Sequence, residues 1–154
     1  KRILEIENTF QNTIRYSHID NTTILKNKIL IIDSIGLLSS IYQFSDITII
    51  GGGFSGKLHN ILEPAYNENA ILFGPHYRKF PEAKELIELN AAFSFNNSKE
   101  LENIINSVID KEFLNEIKTT SLDYINKNKG ATKLVFKAVK ELLPYSTTSA
   151  SSNI

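Results

Sequence analysis

The sequence predicts an α/β fold: a parallel sheet with helices on both faces, followed by a helical C-terminal segment. Three observations predict it. Short runs of apolar, largely β-branched residues recur ("KILIID", "ITII", "AILFG", "AAFSF"), which is the pattern of strands buried on both faces. Stretches with apolar residues at helical spacing alternate with those runs, as they do where helices connect parallel strands. A glycine cluster follows one run, at the carboxyl end of a strand, where such sheets hold their ligands.

The elements follow in order. Residues 1–10 (KRILEIENTF) carry Ile3, Leu4, Ile6 and Phe10 at roughly helical spacing. "TIRYS" (13–17) reads as a short strand and "NTTILKN" (21–27) as a loop. "KILIID" (28–33) is a buried strand. In "SIGLLSSIYQFSD" (34–46), Leu37, Leu38, Ile41 and Phe44 share one helical face and Ser34 is placed to cap it. "ITII" (47–50) is the next buried strand and ends in the glycines. A helix over 59–68, a strand over 70–74, a helix over 80–90 and a strand over 91–95 continue the alternation, with Pro81 in the first turn of the second helix. Asn96, Asn97 and Ser98 offer caps for a helix over 99–110, and two more helices follow near 111–127 and 131–143. Pro144 closes the last of them. The domain is therefore read as 1–145, with "STTSASSNI" (146–154) as a disordered, low-complexity tail.

A length of 154 residues fits one domain with a full hydrophobic core. Basic and acidic residues balance at 17 each, so net charge gives no reason to expect nucleic acid. Cysteine is absent, which removes disulfide and thiol chemistry. No apolar run approaches the ~20 residues of a membrane span, and no signal peptide opens the sequence. Any membrane contact is expected to be peripheral or to be made by a part outside this chain.

The chemistry is concentrated in "IIGGGFSGKLHNILEP" (49–64). Glycine admits positive φ and lets a ligand approach the backbone. Successive amides ahead of a helix make an anion site, helped by the helix dipole. Gly51, Gly52, Gly53, Phe54, Ser55 and Gly56 are thus read as wrapping a phosphate, with Lys57 as a nearby charge. His59 and Asn60 are placed in the first helical turn, and Glu63 about one turn further on. A carboxylate there suits vicinal hydroxyls, whose two donors its oxygens can accept. The bland alternative is that the glycines serve a tight turn only. The stretch does not match G-x-x-x-x-G-K-[ST], because no Ser or Thr follows Lys57, nor G-x-G-x-x-G in a first βαβ unit. Glu63 as a general acid has no second carboxylate nearby in sequence. His59 as a metal ligand lacks an H-E-x-x-H or Asp-x-Asp setting. His18 reads as a surface residue.

Four segments in order, among them "IDSIGLLSSIYQFSDITIIGGGFSGKLHNILEP", "AILFGPHYRKFPEAKELIELNAAFSF" and "YINKNKGATKLVFKAVKELLP", resemble the C-terminal half of the 3-deoxy-D-manno-octulosonic acid (Kdo) transferases. The resemblance runs from about 13 to 144, and its most specific parts are Gly-Gly…His-Asn-x-x-Glu-Pro and Gly-Pro-His-x-x-x-Phe (Gly74, Pro75, His76, Phe80). It implies one half of a GT-B fold: a Rossmann-like domain that binds CMP-Kdo, opposite an N-terminal domain that binds a lipid A precursor and supplies the catalytic base. That acceptor domain is absent from this sequence, and so is the first strand of a complete donor domain. No catalytic residue is therefore expected in this chain. The resemblance further implies that Asp33, Ser34, Ile35 and Gly36 lie by the cytosine, and that Gly52, Gly53, Phe54, Ser55, Gly56 and Lys57 surround phosphate and sugar. His59 and Asn60 would contact phosphate or the Kdo carboxylate. Glu63 would hold the ribose, and Gly74, Pro75 and His76 would line the cleft wall. Arg78 and Lys79 add positive charge there or are merely solvated. The implied transfer needs no metal or other cofactor, and its setting is peripheral, on the cytoplasmic face of the bacterial inner membrane. Two departures stand out: Lys57 and Leu58 replace two glycines common before the His-Asn pair, and Leu37 replaces a common Glu. Another GT-B sugar-nucleotide enzyme (a UDP-sugar transferase or an epimerase) and a non-catalytic flavodoxin-like binding domain are the competing readings.

Overall fold

A computed structural model of the chain describes residues 2–20 and 27–143. Most of the loop expected over 21–27, the stop at Pro144 and the tail at 146–154 lie outside the described residues. The described elements run α1 (Arg2–Thr9), β1 (Thr13–Arg15), a 3-10 turn (Tyr16–His18), β2 (Ile29–Ile31), α2 (Leu38–Ile41) and a second 3-10 turn (Tyr42–Phe44). They continue with β3 (Ile47–Ile50), α3 (Leu62–Tyr66), β4 (Ala70–Phe73), α4 (Pro81–Glu88), β5 (Ala92–Ser94), α5 (Ser98–Val108), α6 (Lys111–Asn128) and α7 (Ala131–Leu142).

All strand pairings are parallel, as the alternation requires. They form two sheets, β1-β2 and β3-β4-β5, in which Thr13 faces Ile29, Ile47 faces Ala70 and Ile71 faces Ala92. Strand β4 is central in the second sheet and buried at every residue. Side chains alternate across a strand, so β4 feeds two cores. Ile71 and Phe73 join Ile50, Ile61, Ala65, Ala83, Leu86 and Tyr124 on one face. Ala70 joins Val108 and Ile117, with Phe93 and Phe113 beside them, on the other. Helix α6 serves both, through Ile117 near its start and Tyr124 near its end. Burial and the Glu85 carboxylate, which accepts the Tyr124 hydroxyl at 2.7 Å, push that hydroxyl's pKa far above its usual value.

Two helices differ from expectation. The helix expected over 34–46 shrinks to Leu38–Ile41 and a 3-10 turn. Gly36 adopts φ +91°, and Ser34 caps nothing, because the N-cap position is Leu37. The proposed apolar face is not buried, since Leu38 is 61% and Phe44 84% exposed. The helix expected over 59–68 begins only at Leu62. Pro64 explains this: a helix already under way at 59 would need an N–H from residue 64 to bond back to Asn60, and proline has none. Pro64 fits only in the first turn.

The caps expected before α5 are realised at Asn97, whose side chain accepts from the Glu100 amide at 3.0 Å. Glu100 reaches back to the Asn96 amide at 2.8 Å and to both asparagine side chains, and these bonds hold its carboxyl below the usual range. Asp110 caps α6 through the amides of Glu112 and Phe113. Asn97→Ala and Asp110→Ala are each expected to lower stability by about 1 kcal/mol. Urea midpoints identical to the parent's would show that neither cap matters.

Candidate functional site

Strands β3 and β4 end side by side, and the chain beyond each of them folds back onto the other. After Ile50, residues 51–56 form a run of turns rather than a helix start. The Gly52 carbonyl accepts from the amides of Ser55 (3.1 Å) and Lys57 (3.0 Å), and the Gly51 carbonyl from that of His59 (3.1 Å). Within the expected cradle the Ser55 amide is thus committed internally, and the amides of Lys57 and His59 just beyond it close the turn. The reading of these glycines as an anion site at a helix N-terminus is therefore corrected, because α3 is short and starts at Leu62, well beyond them. The amides of Phe54 and Gly56 have no partner among the described residues.

The middle glycines answer to packing. Gly52 has φ +84°, and a Cβ on it would sit 1.8 Å from the Lys57 carbonyl oxygen. A Cβ on Gly53 would lie 2.5 Å from the Gly74 nitrogen, and one on Gly74 would lie 2.6 Å from Phe54 Cδ2. Two backbones meet here at a distance that excludes side chains. The His76 amide then donates to the Gly53 carbonyl at 2.8 Å. Phe54 stands edge-on to Phe95, with ring centroids 5.5 Å apart.

The structure therefore joins 51–60 to 74–76. The His59 ring lies over Gly51 (3.2 Å to a Cβ placed there), and His76 lies beside Gly56 (3.9 Å). Lys57, His59, Asn60, Glu63 and His76 are all exposed. Pro75, His76, Arg78 and Lys79 line a hollow of about 410 Å³ along this surface. Asn60 and Glu63 form a unit: Asn60 Nδ2 donates to Glu63 Oε1 at 2.9 Å, while Asn60 Oδ1 accepts the Leu62 amide at 2.9 Å. His59 and Asn60 thus precede α3 instead of lying in its first turn, and Asn60 orients the carboxylate. Tyr42, buried beneath, has its hydroxyl pKa raised by that burial and then by the Glu63 charge. Neither Tyr42 nor Phe95 was singled out from the sequence, because core aromatics of this kind carry no local signal.

The segment after β2 stands apart. Asp33 accepts from the Ser17 amide (3.0 Å) and hydroxyl (2.6 Å), which hold its carboxyl below the usual range. Ser34, Ile35 and Gly36 are exposed. No hydrogen bond joins 33–36 to the glycine turn among the described residues. His18, at the end of the 3-10 turn after β1, is exposed, as expected.

A larger hollow, about 640 Å³, lies at the opposite ends of β3 and β4, among Gln43, Asp46, Asn67, Glu68 and Lys118. Its rim is tied by the Lys118–Asp46 ion pair (2.6 Å). Parallel α/β sheets present ligands at the carboxyl ends of their strands, so size does not decide between the two. The surface at 51–63 and 74–79 is the candidate site.

No family model matches the chain. A 3-deoxy-D-manno-octulosonic acid transferase of Rickettsia prowazekii is 32% identical over 126 residues, which cover 79% of this chain and 27% of that protein. A bifunctional glycosyltransferase/methyltransferase of Fusobacterium nucleatum is 26% identical over 157 residues, covering 91% of this chain and 24% of that protein. The chain spans about a quarter of the length of the curated relatives it matches. Among solved structures, the C-terminal CMP-Kdo binding domain of WaaA from Acinetobacter baumannii superposes with a TM-score of 0.69 at 21% identity, covering 82% of this chain and 67% of that one. That last likeness shows the fold. The chain is thus similar in sequence to part of the 3-deoxy-D-manno-octulosonic acid transferases and in fold to a C-terminal α/β domain.

Proposed function

We propose that the chain is the donor-binding half of a Kdo transferase, which holds CMP-Kdo while a lipid A precursor is brought to it by an N-terminal domain. One observation carries the reading: 51–60 and 74–79 form a single surface at the carboxyl ends of β3 and β4, with Lys57, His59, His76, Arg78 and Lys79 along it. Transfer leaves negative charge on the departing phosphate. Cations and the uncommitted amides of Phe54 and Gly56 are suited to meet that charge without a metal. Glu63, turned by Asn60 and with Oε2 unpartnered among the described residues, is suited to a ribose hydroxyl. In this reading Ser34, Ile35 and Gly36 face the base, the acceptor hydroxyl is deprotonated by the other domain, and the whole protein works peripherally on the cytoplasmic face of the inner membrane. No described helix is long and apolar enough to cross a membrane.

Calorimetry at millimolar nucleotide tests this. CMP is expected to bind weakly and in preference to UMP and GMP, and Glu63→Gln or Asn60→Ala to lose about 1–3 kcal/mol each. Uridine preference would favour a UDP-sugar enzyme. Equal or undetectable heats for all three nucleotides would overturn the assignment, and unchanged affinity in both variants would point to a binding domain that uses other residues.

A further inference from the structure

The loop between β4 and α4 and the first half of α4 carry Arg78, Lys79 and Lys84. None of them forms an ion pair among the described residues, whereas Arg15, Lys99 and Lys118 each do. Acids are at hand. Glu82, Glu85 and Glu88 stand on the same helix as Lys84, and Lys84 and Glu88 are four residues apart, a spacing that brings helical side chains together. Glu85 instead accepts the Tyr124 hydroxyl at 2.7 Å. Glu88 lines a hollow together with Lys84 but does not close on it.

Arg78 is shared by two adjoining hollows. One, of about 410 Å³, has Pro75, His76 and Lys79 around it. The other, of about 390 Å³, is walled by Tyr77, Lys84, Ile87 and Glu88. The backbone beneath them is held firmly. The His76 amide donates to the Gly53 carbonyl at 2.8 Å, and the Phe80 amide closes the turn onto the Tyr77 carbonyl at 2.9 Å. Arg78 and Lys79 are the central residues of that closed turn. Fully buried Ala83 and Leu86 anchor α4, and with it Lys84, to the core. The Tyr77 ring rests against Phe73 with centroids 5.4 Å apart, and its hydroxyl meets no partner among the described residues. Cations held in a concave, fixed setting suit a compact anion, since little ordering remains to be done when it binds. A guanidinium presents a fork to phosphate oxygens, an ammonium adds charge, and a phenol can donate one further bond.

We infer that Arg78, Lys84 and Tyr77 form a second anion subsite, beside the candidate site, which takes a phosphate monoester. It goes beyond the donor-binding reading, because its ligand need not be a nucleotide and Lys84 and Tyr77 play no part in that reading. Glu88 opposes the anion at the far wall of the hollow and so sets a limit on its affinity.

A titration of the isotope-labelled 154-residue chain with glycerol phosphate at constant ionic strength, followed through the amide resonances, tests this. Shifts are expected at Tyr77, Arg78 and Lys84, and prior saturation with CMP is expected to leave the affinity within about twofold. Arg78→Gln and Lys84→Gln should each weaken binding by about tenfold, while Glu88→Gln should tighten it by about twofold. All three side chains are exposed, so the fold tolerates their exchange. Unchanged affinity in Arg78→Gln and Lys84→Gln would overturn the inference. So would shifts spread evenly over other lysine-bearing surfaces such as α7, or full displacement of glycerol phosphate by CMP. A chain that ignores CMP yet responds at Tyr77, Arg78 and Lys84 would sink the donor reading and leave this one standing. Vesicles containing phosphatidic acid carry the same monoester on a lipid and identify its source. Sedimentation of the parent but not of Lys84→Gln with them assigns a lipid-borne phosphate, and no sedimentation of either assigns a soluble one.

Discussion

Gly52→Ala is expected to destabilise the protein by about 3 kcal/mol, combining left-handed strain with steric overlap. Gly52 sits at φ +84°, and its added Cβ would fall 1.8 Å from the Lys57 carbonyl oxygen and 2.6 Å from its carbon. These are backbone atoms, so no rotamer relieves the clash. The turn must open, and the Gly52 carbonyl would then lose the amides of Ser55 and Lys57 together with the Ser55 hydroxyl at 3.1 Å. Gly56 is the internal control. It too has positive φ (+70°), but the nearest atom to its added Cβ is His76 Cβ at 3.9 Å. Gly56→Ala should therefore show strain alone, about 1 kcal/mol. Urea denaturation of both variants separates the two costs. Equal losses would mean that the turn yields freely and that the close approach at Gly52 constrains nothing.

Asn69→Ala is expected to cost about 3 kcal/mol, because it strips donors from carbonyls that stay buried. Asn69 is fully buried at the entrance to β4. Its Nδ2 donates to the carbonyls of Tyr42 (3.0 Å), Ser45 (2.8 Å) and Asn67 (2.8 Å). Its Oδ1 accepts from Thr48 Oγ1, which lies 3.1 Å from Ser45 Oγ. One side chain thus pins the turn before β3 to the turn before β4 and fixes the register of the pair. For a chain of this size the loss corresponds to a fall in Tm of about 6–12 °C. Thr48→Val removes a single donor and should cost about 1 kcal/mol. A calorimetric Tm for Asn69→Ala within a degree or two of the parent's would show that water replaces the amide and that the cluster is not a clamp.

The strands and the long helices were legible because their signals are local. "ITII" and "AILFG" are short, apolar and bounded by polar or glycine residues, and the core buries them much as their composition suggests. Asn97 caps α5 by side-chain chemistry readable three residues away, whereas Asp110, which caps α6 in the same way, was not singled out. Elements whose outcome depends on tertiary burial were misjudged. The apolar periodicity of 34–46 was real, but Leu38 and Phe44 stay largely exposed. The late start of α3 was readable in principle from Pro64. The candidate site divides in the same way. The resemblance set Gly74, Pro75 and His76 beside the glycine stretch, where the structure has them, and Ser34, Ile35 and Gly36 as well, which no hydrogen bond joins to it among the described residues. The function of the central glycines was not legible, because the partner that demands them, Gly74, lies on another strand. The Asn60–Glu63 bond has a three-residue spacing, visible in sequence only as a possibility. The division of the described strands into two sheets was not read from the alternation, which by itself calls for one parallel sheet.

The contact of Gly53 with Gly74, fastened by the His76 amide, makes two distant stretches of the gene a single mechanical joint. Exchanging residues 51–59 for a relative's version without also exchanging 74–76 would transplant half a hinge plate. A side chain at either residue would meet the other's backbone, so both must stay glycine and the pair should travel as a cassette in chimaeras.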